Sequence, residues 1–336
     1  MRVEEIICEL QPYIPCPPVA VQQLRKNATA QDDSTIKMWE KTWLANIVQN
    51  KKRFGTFAEN GVGVLWNKFQ NLPCVVAGSG PSLAKNGHLL ANRGNIPLVS
   101  CLHNFHYFVE KGVPVDYWVT LDAGDITIEE VSEGGVFDEE AYWKATEGQT
   151  LLAFIGSSPR LLEKWRGRIL FFTAPLPDLG LMKKIDDIED FRTGLSTGGN
   201  VLGACTYVAK AIFGCYTLAF VGADFCFSYK HKFHGWDSKY DADLGAYIRT
   251  VDIYGNSVLT WASYYGFKQW FDWLSMAVSG IYINCTEGGT FGAYREGNIM
   301  SVIQMELAKF LDMTSLSRHV ENQCKDPSKA ERVLLF

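Results

Sequence analysis

Short apolar runs alternate with longer amphipathic stretches along most of the chain, from residue 72 onward. The apolar runs predict strands at 74–77, 97–101, 117–121, 150–155, 168–173, 216–221 and 281–284. The stretches between them predict helices at 82–92, 104–111, 158–166, 198–213, 260–278 and 298–312. Apolar runs without polar alternation indicate strands that are buried on both faces. The pattern therefore predicts an α/β fold, a doubly wound and mainly parallel sheet with helices on both faces.

The first 70 residues have a different pattern. A proline-rich stretch is followed by a predicted helix from Ser34 to Phe57. Apolar side chains at helical spacing predict its buried face: Met38, Trp39, Leu44, Ile47 and Val48. The basic run at 51–53 is predicted to lie in solvent, with a ligand phosphate as the alternative partner. We therefore divide the chain into a helical N-terminal extension (1–70), a main domain (71–300) and a C-terminal helix and tail (301–336).

Composition narrows the class of protein. The 336 residues are 47% hydrophobic, which is ample for a core, and the net charge of -5 argues against a nucleic-acid-binding surface. The nine cysteines include no C-x-x-C pair. No apolar run approaches the roughly 18 residues of a membrane span, and the acidic start is unlike a signal peptide. We expect a protein of the reducing cytoplasm.

A glycine-rich turn follows the first predicted strand and opens the next helix. Glycines allow backbone N–H groups to approach an anion, and Pro81 suits the first helical position. Ser82 can donate its hydroxyl where the helix dipole favours negative charge. The segment lacks the lysine of a P-loop and the third glycine of the dinucleotide motif. It predicts a phosphate site, with a structural turn as the alternative, formed by Gly78, Ser79, Gly80, Pro81 and Ser82.

The end of the third predicted strand and the start of a predicted helix also carry polar residues suited to binding a nucleotide. Asp122 and Asp125 follow the third predicted strand, where they can bind ribose hydroxyls or a Mg²⁺ ion that bridges phosphates. A turn at a strand end is the alternative interpretation. The residues Ser196, Thr197 and Gly198 open the helix predicted at 198–213. They predict a second anion-binding helix N-terminus, or an ordinary helix cap.

Candidate proton acceptors lie in the loops after the last two predicted strands. Asp224 leaves the strand at 216–221, and His231 and His234 follow it. Histidine titrates near neutral pH and suits general acid–base catalysis, although a polar loop is the alternative. Glu287 precedes paired glycines after the last strand and can face the same cleft as a base. After the second strand, Asn104 can read the edge of a nucleobase.

A set of motifs, in this order, resembles the MptE-like domain that archaeal 6-hydroxymethylpterin diphosphokinases share with flagellar Maf (motility accessory factor) proteins. The similarity covers roughly residues 70–300, and the layout also resembles bacterial CMP-sialic acid transferases. The motifs are Gly78-Ser-Gly-Pro-Ser-Leu83, Val119-Thr-Leu-Asp122, Gly198-Gly-Asn200, Val221-Gly-Ala-Asp224 and Asn284-Cys-Thr-Glu-Gly-Gly289.

The resemblance implies a Rossmann-like fold and a nucleotide-dependent transferase. Its first implied activity is glycosyl transfer from a CMP-activated nonulosonic (sialic-type) acid. The residues at 78–82, Asn104 and 196–198 would then bind the nucleotide, and Asp224, His231, His234 or Glu287 would be the base. The chain departs from the sialyltransferases in two ways. Ser79 replaces their asparagine, and their catalytic histidine has no clear counterpart.

Two alternatives remain open from the sequence. One is diphosphate transfer from ATP to 6-hydroxymethylpterin or a similar alcohol, with Mg²⁺ held by Asp122 and Asp125. The other is a nucleotide-binding protein without catalysis. No cofactor is implied except Mg²⁺ in the diphosphokinase. We expect a nucleotide or nucleotide-sugar donor, an acceptor that the motifs do not identify, no nucleic acid, no membrane span, and self-association as an option.

Overall fold

The computed structural model describes residues 18–133, 138–174, 178–189, 193–195, 197–227, 247–294 and 297–314, with side chains from residue 35 onward except those of residues 132, 133 and 247. The strands are β1 (Cys74–Ala77), β2 (Leu98–Cys101), β3 (Tyr117–Thr120), β4 (Thr150–Phe154), β5 (Arg168–Phe172), β6 (Thr217–Val221), β7 (Tyr247–Val251), β8 (Ser257–Trp261), β9 (Ile281–Asn284), β10 (Ala293–Tyr294), β11 (Gly297–Asn298) and β12 (Val302–Gln304).

The helices lie between and around these strands. They are α1 (Pro18–Phe54), α2 (Leu83–Asn86), α3 (Phe105–Glu110), α4 (Ile126–Ile128), α5 (Glu139–Ala145), α6 (Pro159–Lys164), α7 (Leu179–Ile188), α8 (Val201–Tyr207), α9 (Ala262–Ala277) and α10 (307–314). Short 3₁₀ turns occur at Phe57–Asn60, Val62–Leu65, Gly87–Asn92 and Leu102–Asn104. Two π turns, Glu129–Glu133 and Val208–Ile212, continue α4 and α8.

Eight strands form one parallel sheet in the order β12-β9-β6-β1-β2-β3-β4-β5. Every residue of β1, β2 and β3 is buried, which is why these strands read as continuous apolar runs. This architecture confirms the predicted Rossmann-like α/β fold. The chain runs outward from β1 to β5 and then returns to β6 on the other side of β1, so the order of the strands reverses between β1 and β6.

The long N-terminal helix α1 packs against α6, α7 and α9. Its buried apolar face is formed by Ile36, Trp43 and Ile47, which are spaced to lie on one side of the helix. The prediction was wrong for Met38 and Val48, which are 71% and 53% exposed. The buried face of α1 also includes Asn46 and Asn50, which a search for apolar spacing does not detect.

Two buried asparagines attach α1 to the carboxyl edge of the sheet. Asn46 Nδ2 donates to the carbonyl oxygens of Ala123 (2.9 Å) and Gly156 (3.0 Å). Asn50 Nδ2 donates to those of Ile155 and Ser157, both at 2.9 Å. These carbonyls belong to the loops that follow β3 and β4. The helix therefore satisfies loop backbone that would otherwise be buried without partners.

We expect Asn50→Ala to lower the free energy of unfolding by about 2–4 kcal/mol, because two buried carbonyl oxygens lose their donor. Chemical denaturation followed by far-UV circular dichroism measures the change. Gln49→Ala is the control, since Gln49 is exposed on the same helix turn and its loss should cost within about 0.5 kcal/mol. Equal stability of the two variants would contradict the role assigned to Asn50.

The basic run at 51–53 takes part in ion pairs. Lys51 Nζ lies 2.8 Å from Glu189 Oε2 and also donates to the Ile188 carbonyl, and Arg53 Nη1 lies 2.8 Å from Glu163 Oε1. These contacts tie the end of α1 to α6 and α7. Neither side chain lines the cavity described below. The structure therefore gives no support to a ligand phosphate as the partner of this basic run.

The C-terminal part of the main domain differs from the prediction. The helix predicted at 298–312 is replaced by β12, which pairs in parallel with β9, and by α10, which begins only at residue 307. The antiparallel pairs β7–β8 and β10–β11 were not predicted. None of the described helices has the length and apolar character that crossing a bilayer requires.

Candidate functional site

A cavity of about 210 Å³ opens where the strand order reverses, between the loops that follow β1 and β6. Ligands of open α/β sheets bind at such a position, outside the carboxyl ends of the strands. Four segments line it: residues 78–81, the start of α8 at 200–202, the loop at 222–227, and Tyr264 and Phe267 of α9.

The glycines of the turn after β1 allow two backbone loops to touch. Gly78 N–H donates to Val221 O (2.9 Å) and Gly80 N–H donates to Gly222 O (2.8 Å). A Cβ atom on Gly78 would lie 2.5 Å from Gly222 O, and one on Gly80 would lie 2.6 Å from the same atom. The two glycine N–H groups therefore bind the end of β6 and the first residue of the loop after it, and the glycines are required by this close approach.

A carboxylate occupies the N-terminus of α2. Asp224 Oδ2 accepts hydrogen bonds from Ser82 Oγ (2.6 Å) and Ser82 N (3.3 Å). The Asp224 backbone is held from the other side, because its carbonyl accepts from Thr290 N at 2.8 Å. Asp224 lines the cavity although it is only 1% exposed. The position at which a helix N-terminus would bind phosphate is thus filled by the protein's own negative charge.

The N-terminus of α8 forms the opposite wall. Asn200 caps this helix, since its Oδ1 accepts from Gly203 N at 2.9 Å. The two residues before the cap, Gly198 and Gly199, have positive φ angles of 56° and 80°. A Cβ atom on Gly198 would also lie 2.6 Å from the ring of Trp270. Glycine is therefore needed at 198 both for the backbone conformation and for the contact with α9.

Aromatic rings form the third wall. Phe227 contacts Trp261 and Tyr264, with ring centroids 5.1 and 6.1 Å apart, and Tyr264 lies 6.2 Å from Phe267. Burial raises the pKa of the Tyr264 hydroxyl, so it stays protonated at neutral pH. Flat apolar rings beside a polar turn are suited to a ligand with a base or sugar ring.

The structure brings part of the predicted nucleotide site together. Gly78, Ser79, Gly80 and Pro81 line the cavity with Asp224. Ser82 does not line it, since it is 1% exposed and bonded to Asp224. Thr197 and Gly198 precede the lining segment at 200–202, and Thr197 Oγ1 accepts from Gly199 N at 3.2 Å.

Asn104 lies beneath the turn rather than in the cavity. Its Nδ2 donates to Gly78 O and to Ser100 Oγ, both at 3.0 Å, and the residue is 0% exposed. The side chain therefore fixes the first residue of the turn from below. In this arrangement it does not face a nucleobase.

The two aspartates after β3 lie outside the cavity lining. Asp125 accepts from Ser158 Oγ and, at 2.6 Å, from Arg160 Nη1. Burial raises the pKa of the Asp122 carboxyl. Both Asp125 oxygens already accept from protein donors, so a Mg²⁺ ion would compete with Ser158 and Arg160 for this carboxylate. Within the described part of the chain, no cluster of three His, Cys, Asp or Glu side chains is arranged to hold a metal ion.

Glu287 contacts α2 and α10 and does not line the cavity. Its Oε1 accepts from Asn86 Nδ2 (2.9 Å) and from Leu307 N (3.0 Å). The backbone of Glu287 has a φ of 55°, which is rare for a residue with a side chain. These contacts place Glu287 between α2 and the start of α10. The three remaining predicted site residues, Ser196, His231 and His234, lie outside the described residues.

Sequence reasoning missed the residues that complete the cavity. Asn200, Val201 and Leu202 follow the predicted Thr197-Gly198 pair, and the cap signal of Asn200 before an apolar run could have located them. Tyr264 and Phe267 belong to the helix predicted at 260–278, in which no site residue was predicted. Their spacing on a helix gives no signal that separates a cavity wall from a core face.

Comparison with known proteins agrees with this fold. The family model "6-hydroxymethylpterin diphosphokinase MptE-like" matches residues 41–230, more than half of the chain. No curated protein sequence matches the chain significantly. The structure of a MAf glycosyltransferase from Magnetospirillum magneticum AMB-1 has a similar fold, with a TM-score of 0.52 and 16% identity over 83% of this chain. The alignment covers 41% of that protein, so this chain spans about two fifths of its length. By its family match and its fold, the chain belongs to the MptE-like family.

Proposed function

We propose that the chain is a nucleotide-dependent transferase that binds its donor in the cavity between the loops that follow β1 and β6. One observation carries the proposal. The cavity lies where the strand order reverses and combines a helix N-terminus, a glycine turn and an aromatic wall. Each of these walls suits a different part of a nucleotide.

The phosphate is best placed at the N-terminus of α8. The first N–H groups of a helix have no partner within the helix, and Val201 and Leu202 line the cavity at this point. At α2 the Asp224 carboxylate would repel a phosphate. The same carboxylate accepts hydrogen bonds well, so it suits a ribose or sugar hydroxyl. The base then stacks against Tyr264 and Phe267.

The first donor that we propose is a CMP-activated nonulosonic acid, with transfer of its glycosyl group. An acceptor hydroxyl forms a bond to the anomeric carbon while the bond to the CMP phosphate breaks, and CMP leaves with the electron pair. The helix N-terminus stabilises the charge that develops on the phosphate. A fold shared with a MAf glycosyltransferase supports this choice, as does the order of the motifs.

The family description supports a second candidate, a diphosphokinase that acts on 6-hydroxymethylpterin or a similar alcohol. Its chemistry requires a metal ion to neutralise the phosphates. The contacts of Asp125 with Ser158 and Arg160 weigh against Mg²⁺ at the predicted pair. A nucleotide-binding protein without catalysis remains the third candidate.

Thermal unfolding with CMP, CDP, ATP, GTP and UDP, each with and without Mg²⁺, tests the proposal. We expect CMP to raise the melting temperature without metal, because a ligand that binds only the folded state stabilises it. Asp224→Asn should reduce this rise, since the ribose hydroxyl loses a charged acceptor. Asp186→Asn is the control, because Asp186 is exposed on α7.

The alternatives give different results in the same experiment. A rise with ATP that requires Mg²⁺ would favour the diphosphokinase. Binding of CMP without release of CMP from a CMP-sugar would favour the non-catalytic protein. If no nucleotide changes the melting temperature, both transferase candidates fail.

A further inference from the structure

A row of exposed, large apolar side chains crosses the amino edge of the parallel sheet. It takes one residue from the start of each of four neighbouring strands, β12, β9, β6 and β1. Ile281 is the first residue of β9, and Tyr216 directly precedes β6. Leu72 and Met300 each lie two residues before their strands, β1 and β12. This amino-edge row consists of Leu72, Tyr216, Ile281 and Met300, which are 43%, 51%, 41% and 99% exposed.

The middle of the row is held in place by hydrogen bonds. The Tyr216 carbonyl accepts from Ile281 N at 3.0 Å, and the Tyr216 hydroxyl shares a hydrogen bond with Ser279 Oγ at 3.2 Å. Lys210 Nζ lies 4.7 Å from the centroid of the Tyr216 ring. Neighbouring strands are about 4.8 Å apart, so a row across four strands is about 15 Å long. Large apolar side chains that are exposed side by side, rather than singly, mark an interaction surface.

The last described helix directs the chain toward this edge. Strand β12 runs parallel to β9, and Met305 N donates to Asn284 O at the carboxyl end of β9 (3.1 Å). Helix α10 starts there, where Leu307 N donates to Glu287 Oε1 at 3.0 Å. Leu307 and Phe310 are 0% and 3% exposed, so the helix packs on the core. A helix that follows a parallel strand packs back along the sheet, which points the end of α10 toward the amino edge.

The sequence after α10 contains an apolar run that matches the row in length. Residues 315–336 lie outside the described residues. Their sequence is mainly polar at 315–332 and then reads Val333-Leu334-Leu335-Phe336. Four residues in extended conformation cover about 13 Å, close to the length of the row. The segment 315–332 can span up to about 60 Å, and such a tether holds the apolar run at an effective concentration on the order of mM. The tether favours this run over a segment of another molecule.

We propose that residues 333–336 bind the amino-edge row of the same chain. Burial of apolar surface on both partners drives the contact. The row gains a cover, and the apolar run leaves water. The amino edge is opposite to the carboxyl edge at which the cavity opens, so this contact is independent of the proposed donor binding.

Photocrosslinking of the full chain tests the contact. p-Benzoyl-L-phenylalanine replaces Phe336, the protein is irradiated, and peptide mass spectrometry maps the residues that become linked to the probe. We expect links to the amino-edge row in a product with the mass of one chain. The control carries the same probe in place of Val48, which is 53% exposed on α1, and should give no link to the row.

A substitution in the row separates a specific contact from random collision. Leu72→Asp should lower the yield of links to the other three row residues at least ~10-fold, because loss of one buried leucine contact is worth about a factor of ten or more. Leu334→Asp should lower it in the same way from the other side of the contact. Leu179→Asp is the matched control, since Leu179 is 62% exposed at the start of α7, and it should leave the yield unchanged.

The other outcomes overturn the proposal. Links to the row that occur only in a product with the mass of two chains would show that a second copy covers the row. Links that fall mainly outside the row would show that the apolar run binds elsewhere. A yield that Leu72→Asp does not change, in a protein with the far-UV circular dichroism of the parent, would show that the row does not bind the run.

Discussion

Gly80→Ala is expected to abolish stabilisation by nucleotides and to lower the free energy of unfolding by about 3 kcal/mol. The added Cβ would lie 2.1 Å from Asp224 Oδ2 and 2.6 Å from Gly222 O, far inside contact distance. One contact is with backbone, so rotation of a side chain cannot relieve both. The loops after β1 and β6 must therefore move apart, and the cavity between them loses its shape.

Chemical denaturation and thermal shift with CMP measure the two effects of this substitution. Gly63→Ala is the matched control, because a Cβ there meets no atom closer than 4.0 Å, from Thr193 Oγ1. We expect the control to change stability by less than about 0.5 kcal/mol. A Gly80→Ala protein with normal stability and normal nucleotide response would show that the two loops are not held in contact in solution.

Lys268→Met is expected to lower the free energy of unfolding by about 3–5 kcal/mol, because it leaves a buried charge without its partner. Lys268 and Asp272 form an ion pair on α9 and are 2% and 1% exposed. Asp272 Oδ1 also accepts from Gly292 N (2.8 Å) and Oδ2 from the Tyr294 hydroxyl (3.1 Å). The pair thus joins the aromatic helix to the loop that carries β10.

The double variant Lys268→Met/Asp272→Asn is the decisive comparison. Removing both charges should restore part of the stability that Lys268→Met loses. A neutral side chain at position 272 is buried without the free-energy cost of taking a charge out of water. Denaturation midpoints of the three proteins measure this. A double variant less stable than Lys268→Met would contradict the interpretation that an isolated Asp272 charge causes the loss.

The pKa of Asp272 predicts the direction in which the stability of the protein changes with pH. Burial raises the pKa of Asp272 above its unfolded value, against the opposing effect of Lys268. A raised carboxyl pKa contributes stability that is fully present below the unfolded pKa and is lost as pH rises through the folded pKa. Lys268→Met removes the charge that opposes this rise, so the variant should lose more stability than the wild type as the pH rises from below the ordinary carboxyl pKa.

The strands that position the site could be predicted closely, because the apolar run that makes a buried strand is visible in the local sequence. Strand β1 begins and ends where its apolar run does, since a strand buried on both faces must be apolar at every position. Strand β12 could not be predicted, because its three residues become a strand only by pairing with β9. An apolar spacing that also fits a helix led to the wrong element there.

The roles of the site residues depended on contacts between distant parts of the chain. Ser82 resembled a phosphate ligand, but it donates to Asp224, which lies 142 positions later. Glu287 resembled a base facing the cleft, but it binds Asn86 and the start of α10. In each case the side chain can form its hydrogen bonds either with a ligand or with another part of the protein. Which of the two occurs depends on the residues that folding brings next to it.

The amino-acid pattern alone therefore determined the α/β class, the parallel sheet and the glycine turn at its carboxyl edge, because burial and backbone freedom act on neighbouring residues. Only the packed structure decided which polar groups line the cavity. It placed Asp224 at the N-terminus of α2 and brought α8 and the aromatic helix to the other walls. These relations depend on the order of strands across the sheet, which local pattern does not encode.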